Sequence, residues 1–422
     1  MSSQTPCAAI KSKLFFLWAI ATIIIGCSPE KQASAPDDLI GLWNARFNEG
    51  HPILQKVNQV AYDPLDNSAV LVFEPAPPGE ANLLKVRYDP EKDVGDQLKV
   101  DKLRISNGSL SQIRISSDGK YTALSGRSRE LFLFKDQQGF AKLDLDDELT
   151  GMEFGGKNEN ILAVGDRKGK LTLIDLEKAA IINTAQLFNG EVTSIAFFKE
   201  GQLLVTGKDS RIIQIDVVSG KTTRTIETQA LKEKILYATG LRHCHQDRIN
   251  QVLYVESENK IVTSHGWDYC QDSRVAVWDA SSGNLVKEIR QIKHPVYHMV
   301  WASKFNTLVF ADHDRNLWRL SLHDDRLSGP IHLPKSFACY GFPTKKELAE
   351  VNFGNIQSMV SIPGTPLLLM GIGSYFKGGS GVLLVELTSD AIKNIAHMGI
   401  DIRGNAQLFV REELFHKMKP SP

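Results

Sequence analysis

The residues best suited to chemistry gather in one stretch of the chain. Seven of the eleven histidines fall between His243 and His323, and His243-Cys244-His245 is followed by His265, Asp268 and Cys270. Imidazole and thiolate are ligands for borderline metals, so His243, His245 and His265 with one thiolate form a candidate metal set. The stretch has neither a Cys-x-x-Cys pair nor a His-Glu-x-x-His helix to reinforce that reading. The same thiols, Cys244 and Cys270, form a candidate disulfide if the compartment is oxidising, with Cys339 as a third possible partner. A third reading is structural: one histidine holds a turn and the other polar side chains face water. All three stay open on the residues alone. Elsewhere there is no Gly-x-Ser-x-Gly elbow, no Cys-x-x-Cys-His haem attachment and no paired-carboxylate motif. Gly371–Gly381 is glycine-rich, but no helix follows and the Gly-Lys-Ser/Thr ending of a phosphate loop is missing, so it reads as a loop. No cofactor is expected.

The elements that must position these residues repeat. A hexad occurs seven times, starting at Val57, Leu110, Leu149, Val192, Ile249, Val296 and Ile356. Its first and fourth positions are aliphatic or Met, and its second and third are polar or Gly in most copies; the sixth is aromatic in five copies. Each hexad reads as a short strand, followed by a polar turn, a second apolar strand, another turn and a third strand. The shortest steps between starts match the roughly 40–45 residues of a four-stranded propeller blade. Within this frame Asp272-Ser-Arg-Val-Ala-Val-Trp278-Asp279, followed by Ser282-Gly283, resembles the third strand and turn of a WD repeat. Asp209–Asp216 and Asp312–Trp318 are similar but degenerate.

The resemblance covers about residues 50–400 and implies an all-β fold, a WD-repeat-like seven-bladed β-propeller. It also implies a structural hydrogen-bonded tetrad in blade five, formed by His245, Ser264, Asp272 and Trp278. In blade six His294, Asp312 and Trp318 match, while Ala311 stands where the hydroxyl belongs. Leu39–Phe47 is expected to close the ring, with Ala391–Ile400 as the alternative. Residues 401–422 are expected as a surface tail, with a short helix within Gln407–His416. Arg114 and Glu153 share one strand column in adjacent blades and are expected to pair as ions.

In a propeller, loops entering the first strands and loops from second to third strands share one rim. That rim would carry the His/Cys cluster over blade five and the insertions Gln229–Arg248 and Ser336–Asn355. The second insertion contains Thr344-Lys-Lys-Glu347, a capping box for a short helix. Tyr340, Phe342, Tyr375 and Phe376 are loop aromatics on this rim, and Tyr340, Tyr375 and Phe376 are the partner-binding candidates. The competing reading packs these rings onto the propeller.

The first residues supply an address. Lys11 and Lys13 precede Leu14–Ile25, an apolar run that as a helix rises about 18 Å against the roughly 30 Å of a bilayer core. A secretory signal fits better than a membrane span. Ile24-Ile25-Gly26-Cys27 resembles the bacterial lipobox, which implies cleavage before Cys27 and lipidation of that residue. The expected organisation is a lipoprotein signal peptide (1–26), a lipidated tether (27–38), the propeller (39–400) and the tail (401–422). Ser28 after the cysteine is similar to lipoproteins sent to the outer membrane, so the bacterial cell envelope is expected, and the periplasmic face of the outer membrane is favoured over the inner membrane. Two or more acyl chains anchor stably.

Composition supports this outline. The chain carries 49 basic and 49 acidic residues, with 42% hydrophobic residues. It has the apolar content of a folded protein and lacks the basic excess that general nucleic-acid binding requires. The reading that follows is a monomeric, membrane-anchored, non-catalytic scaffold that docks an envelope protein through the rim over blades five to seven. The alternative is a propeller enzyme or metal/cofactor-binding protein with its site over the central channel near blades five and six.

Overall fold

Every hexad lies in the first strand of a sheet. In the computed structural model these strands are Val57–Asp63, Leu110–Ile115, Leu149–Gly155, Val192–Phe198, Ile249–Val255, Val296–Ala302 and Asn355–Ser361. The structure describes residues 57–415 except 74–81, 89–97, 106–109, 157–158, 200, 229–247, 268–269, 334–335, 338–350, 353–354, 374–380, 389–391, 401–405 and 410–412. Each first strand is hydrogen-bonded to a second, that to a third and that to a fourth, in chain order and antiparallel throughout. The fourth sheet, for example, runs Val192–Phe198, Gln202–Gly207, Arg211–Asp216 and Thr222–Glu227. These are propeller blades, seven of them, in an all-β chain whose described helical segments are 3-10 turns such as Glu256–Glu258 and Ser303–Phe305.

The blades fall into two compact units. Blades two to six belong to one, and blades one and seven to the other. In the first unit, the first strands of successive blades lie side by side in sequence order; in the second, the first strand of blade one lies against the first and second strands of blade seven. The core sits between blades, where hexad positions one and four are sealed: Leu110, Ile113, Val192, Ile249, Val252 and Val296 are each 5% exposed or less. Burying one such side chain contributes about 1.5–3 kcal/mol.

The polar second position of the hexad has a backbone reason. In all seven blades the register between first and second strands slips there, so that Asn58, Ser111, Thr150, Thr193, Asn250, Tyr297 and Gln357 are bulged. A bulge leaves one residue outside the ladder and re-aims its side chain. Opposite position three the second strand carries Val72, Ser125, Gly165, Thr206, Ser264, Ala311 or Gly371, none larger than valine. The next blade explains two of these. A Cβ on Gly165 would sit 2.4 Å from Val192, and one on Gly371 would sit 3.0 Å from Val57. Position one of the following hexad occupies that space, and the last blade receives the first in the same way.

Two expectations at the termini change. The fourth place in blade seven is taken by Ile392–Ile400, the C-terminal alternative, while Leu39–Phe47 lies outside the described residues. Within residues 406–415 the chain forms strands, Ala406–Phe409 and Glu413–Phe415, both antiparallel to Ile392–Ile400. The expected helix is replaced because the edge of Ile392–Ile400 offers unpaired N–H and C=O groups that an extended segment satisfies. The short helix expected at Thr344–Glu347 lies outside the described residues.

Candidate functional site

Blade five holds the only described member of the candidate metal set. The first strand begins at Ile249 opposite His265, which lies near the end of the second strand, Lys260–Trp267, and faces Arg274 on the third. His265 is fully buried, and its Nε2 lies 2.8 Å from the hydroxyl of Thr263. That hydroxyl also accepts the indole N–H of Trp278 at 2.9 Å. Having accepted from Trp278, the hydroxyl has its own proton to give to Nε2. The arrangement locks a turn-proximal histidine and a tryptophan into the blade interior.

This corrects the hydroxyl member of the expected tetrad. The hydroxyl partner of Trp278 is Thr263 rather than Ser264, and among the described residues the histidine in contact with that hydroxyl is His265. The reason is strand alternation. Trp278 stands opposite Ile261, so Thr263, two residues on, shares its face and Ser264 points the other way. The Ser264 hydroxyl is buried with no hydrogen-bond partner among the described residues. Alternation alone leaves two faces open, and the pairing of Trp278 with Ile261 decides for Thr263. His243, Cys244 and His245 lie outside the described residues, and so do the side chains of Cys270 and Asp272; by backbone, Cys270 pairs with Trp267. Among the described residues no group of three His, Cys, Asp or Glu side chains converges as a metal site.

Blade six solves the missing hydroxyl differently. The carboxylate of Asp312 accepts the Trp318 indole at 3.1 Å, the Asn316 amide at 2.8 Å and the backbone N–H groups of Asp314 and Asn316 at 2.9 and 3.0 Å. One buried carboxylate thereby satisfies both the turn and the tryptophan that a hydroxyl would otherwise serve. His294 pairs instead with Asp314, 3.2 Å away.

Between blades, polar side chains of the hexad stitch first strands that share no ladder. Gln251 donates to the Met299 carbonyl at 3.0 Å and accepts from the Met299 N–H at 2.6 Å. Gln112 donates to the Leu149 carbonyl at 3.0 Å, and the bulged Thr150 and Asn250 donate to Val192 and Val296 at 2.6 and 3.0 Å. Ser194 accepts from the Val252 N–H at 3.2 Å, and Ser358 of blade seven accepts from Val60 of blade one at 2.9 Å. Each such bond contributes about 0.5–1.5 kcal/mol net. Arg114 and Glu153 form the expected inter-blade ion pair at 3.4 Å. Enclosure by protein pushes the Glu153 carboxyl above its usual range against the pull of Arg114, although over a third of the side chain still meets solvent.

The rim over blades three and four is charged on both sides. Loops entering the first strands supply Asp146, Asp147, Glu148 and Glu191; they meet Lys168, Arg167 and Lys208 from the loops between second and third strands and Lys170 at the start of a third strand. Glu191 also holds Arg248 at 2.8 Å. Exposed pairs of this kind contribute about 0–1 kcal/mol each, so they shape a surface more than they stabilise a fold.

With these blades in view, the chain is similar to a distant WD-repeat-type protein, "Histone acetyltransferase type B subunit 2" from Eremothecium gossypii, at 25% identity over 207 residues. The match covers 44% of this chain and 41% of that protein, so the chain spans less than half of the relative's length. No family model matches. Blades and similarity together support a WD-repeat-like β-propeller, a fold consistent with a protein-interaction scaffold. Tyr340, Tyr375, Phe376 and Cys27 lie outside the described residues.

Proposed function

We propose that this protein is a lipid-anchored, non-catalytic interaction scaffold of the bacterial envelope. The observation that carries the scaffold reading is how two tryptophans, a buried strand histidine and the turn aspartate are used. The Thr263 hydroxyl binds both Trp278 and His265, and Asp312 binds Trp318, all inside blades. The distinctive side chains of the blades build the fold, and recognition is left to rim loops. The similar Eremothecium gossypii protein is named as a subunit, a component of an assembly, which agrees with that role.

Anchoring rests on Ile24-Ile25-Gly26-Cys27 behind Lys11, Lys13 and a short apolar run. Docking is assigned to Tyr340, Tyr375 and Phe376, in the segments before blade seven and between its second and third strands. Anchoring is tested by feeding bacteria an alkyne-tagged palmitate: the wild type should be labelled and pelleted with membranes, and Cys27→Ala unlabelled. Docking is tested by cross-linking in native membranes, comparing wild type with the triple alanine variant of the three aromatics.

A further inference from the structure

Fourth strands are the outer edges of blades, and an open edge invites pairing unless charge, proline or an added strand guards it. Six of the seven fourth strands carry such a guard. Leu98–Leu103 has Lys99, Asp101 and Lys102; Gln138–Asp144 has Lys142 and Asp144; Thr222–Glu227 has Arg224 and Glu227. Leu285–Ile289 has Lys287 and Glu288, Leu327–His332 has Pro330, and Ile392–Ile400 is covered by two further strands. Blade three alone differs. Its fourth strand, Ala180–Gln186, reads Ala-Ile-Ile-Asn-Thr-Ala-Gln, with neither charge nor proline. Ile181 and Ile182 are 49% and 46% exposed, and no described strand pairs with the outer edge.

A bulge at Ile182 does not set this strand apart, because the fourth strands of blades two, four and five carry bulges at the matching place as well as their charges. That a fourth-strand edge of this chain can accept another antiparallel strand is seen in blade seven, where Ala406–Phe409 adds to Ile392–Ile400.

We infer that the outer edge of Ala180–Gln186 is a self-association site, pairing antiparallel with the same strand of a second copy. The occupant follows from the sequence of the edge. Centred on Asn183, the pairing sets Ile181 against Ala185 and Ile182 against Thr184 and brings no charges together. The same operation on Leu98–Leu103 would oppose Lys99 to Lys102, and on Leu285–Ile289 would oppose Lys287 to itself. Two-fold pairing of one patch with itself is the commonest way in which identical chains associate. The contact is a single short strand on each side, so the complex is weak and exchanges readily. It departs from the monomer expected from sequence and does not depend on the lipid anchor or the partner rim.

The test uses full-length protein in mild detergent, half carrying a donor dye and half an acceptor, diluted from about 100 µM, a range in which small interfaces are populated. Energy transfer should appear at the top of the range and fall on dilution. Thr184→Lys and, independently, Ile182→Lys place a charge on the exposed edge and should weaken association by roughly tenfold or more. Val218→Lys, which alters the most exposed apolar side chain of the neighbouring blade at 89%, should leave it unchanged. Unfolding midpoints verify that each variant is folded. Absence of transfer in the wild type at the highest concentration overturns the inference, as does association of folded Thr184→Lys and Ile182→Lys at wild-type strength.

Discussion

Trp278 donates its indole N–H to the hydroxyl of Thr263, 2.9 Å away, and that hydroxyl is the one shared with His265. The neighbouring hydroxyl of Ser264 faces the other side of the strand. Thr263→Val keeps the shape and removes the hydroxyl, leaving a buried N–H and a buried ring nitrogen without it; the expected loss is about 1–3 kcal/mol. Ser264→Ala removes a buried hydroxyl with no described partner and should change stability by less than about 0.5 kcal/mol. Urea unfolding of the two variants in parallel checks the order, and a larger loss for Ser264→Ala would contradict the assignment.

The packing of Val192 on Gly165 sets a second expectation. Gly165→Ala puts a methyl 2.4 Å from Val192, and overpacking of that kind costs about 1–3 kcal/mol. Val192→Ala in the same chain should recover part of that cost, and a double-mutant cycle measures the coupling. Strictly additive losses would mean that the two blades do not meet there.

Asp312 receives four hydrogen-bond donors. Asp312→Asn turns one of its oxygens into a donor facing donors and removes a charge-assisted acceptor, so a loss of roughly 2–4 kcal/mol is expected. Trp318 fluorescence in a variant with the other tryptophans replaced reports the local environment during unfolding. An unchanged midpoint for Asp312→Asn would refute the role given to this carboxylate.

The acid limb of the stability curve follows from the turns between third and fourth strands. The Ser219 hydroxyl and N–H, both 2.7 Å from the carboxylate, hold the Asp216 carboxyl below its usual range. The Ser282 N–H, followed by its hydroxyl, does the same for Asp279, and the Lys178 N–H leads for Asp175. A carboxyl depressed by folding stabilises above its unfolded value and loses that contribution as pH falls through the folded value. Stability should therefore hold above a pH of about 4 and decline below it. Asp216→Asn with Asp279→Asn should flatten that decline in denaturation midpoints recorded against pH; an unaltered slope would count against the turns as its source.

Much of the architecture was legible because period and spacing report burial directly. The hexad marked all seven first strands, and Arg114 with Glu153 could be paired from their shared column. The site was less legible. Repeat resemblance pointed to Ser264, whereas the pairing register, visible only once Trp278 stood opposite Ile261, selected Thr263. The blade-six solution was hidden for a different reason: a missing hydroxyl at Ala311 does not announce that a neighbouring carboxylate takes its donor. The strands at Ala406–Phe409 and Glu413–Phe415 were missed because short polar-apolar segments take the structure of the edge they meet.

We propose that the rim aromatics of a membrane-anchored propeller dock another protein. The most direct measurement is quantitative cross-linking in native membranes with wild type and the Tyr340→Ala, Tyr375→Ala, Phe376→Ala triple variant at matched abundance. One reproducible partner is expected, with recovery that collapses in the variant while the variant's unfolding midpoint stays near that of the wild type. Equal recovery of that partner by a folded variant would contradict it.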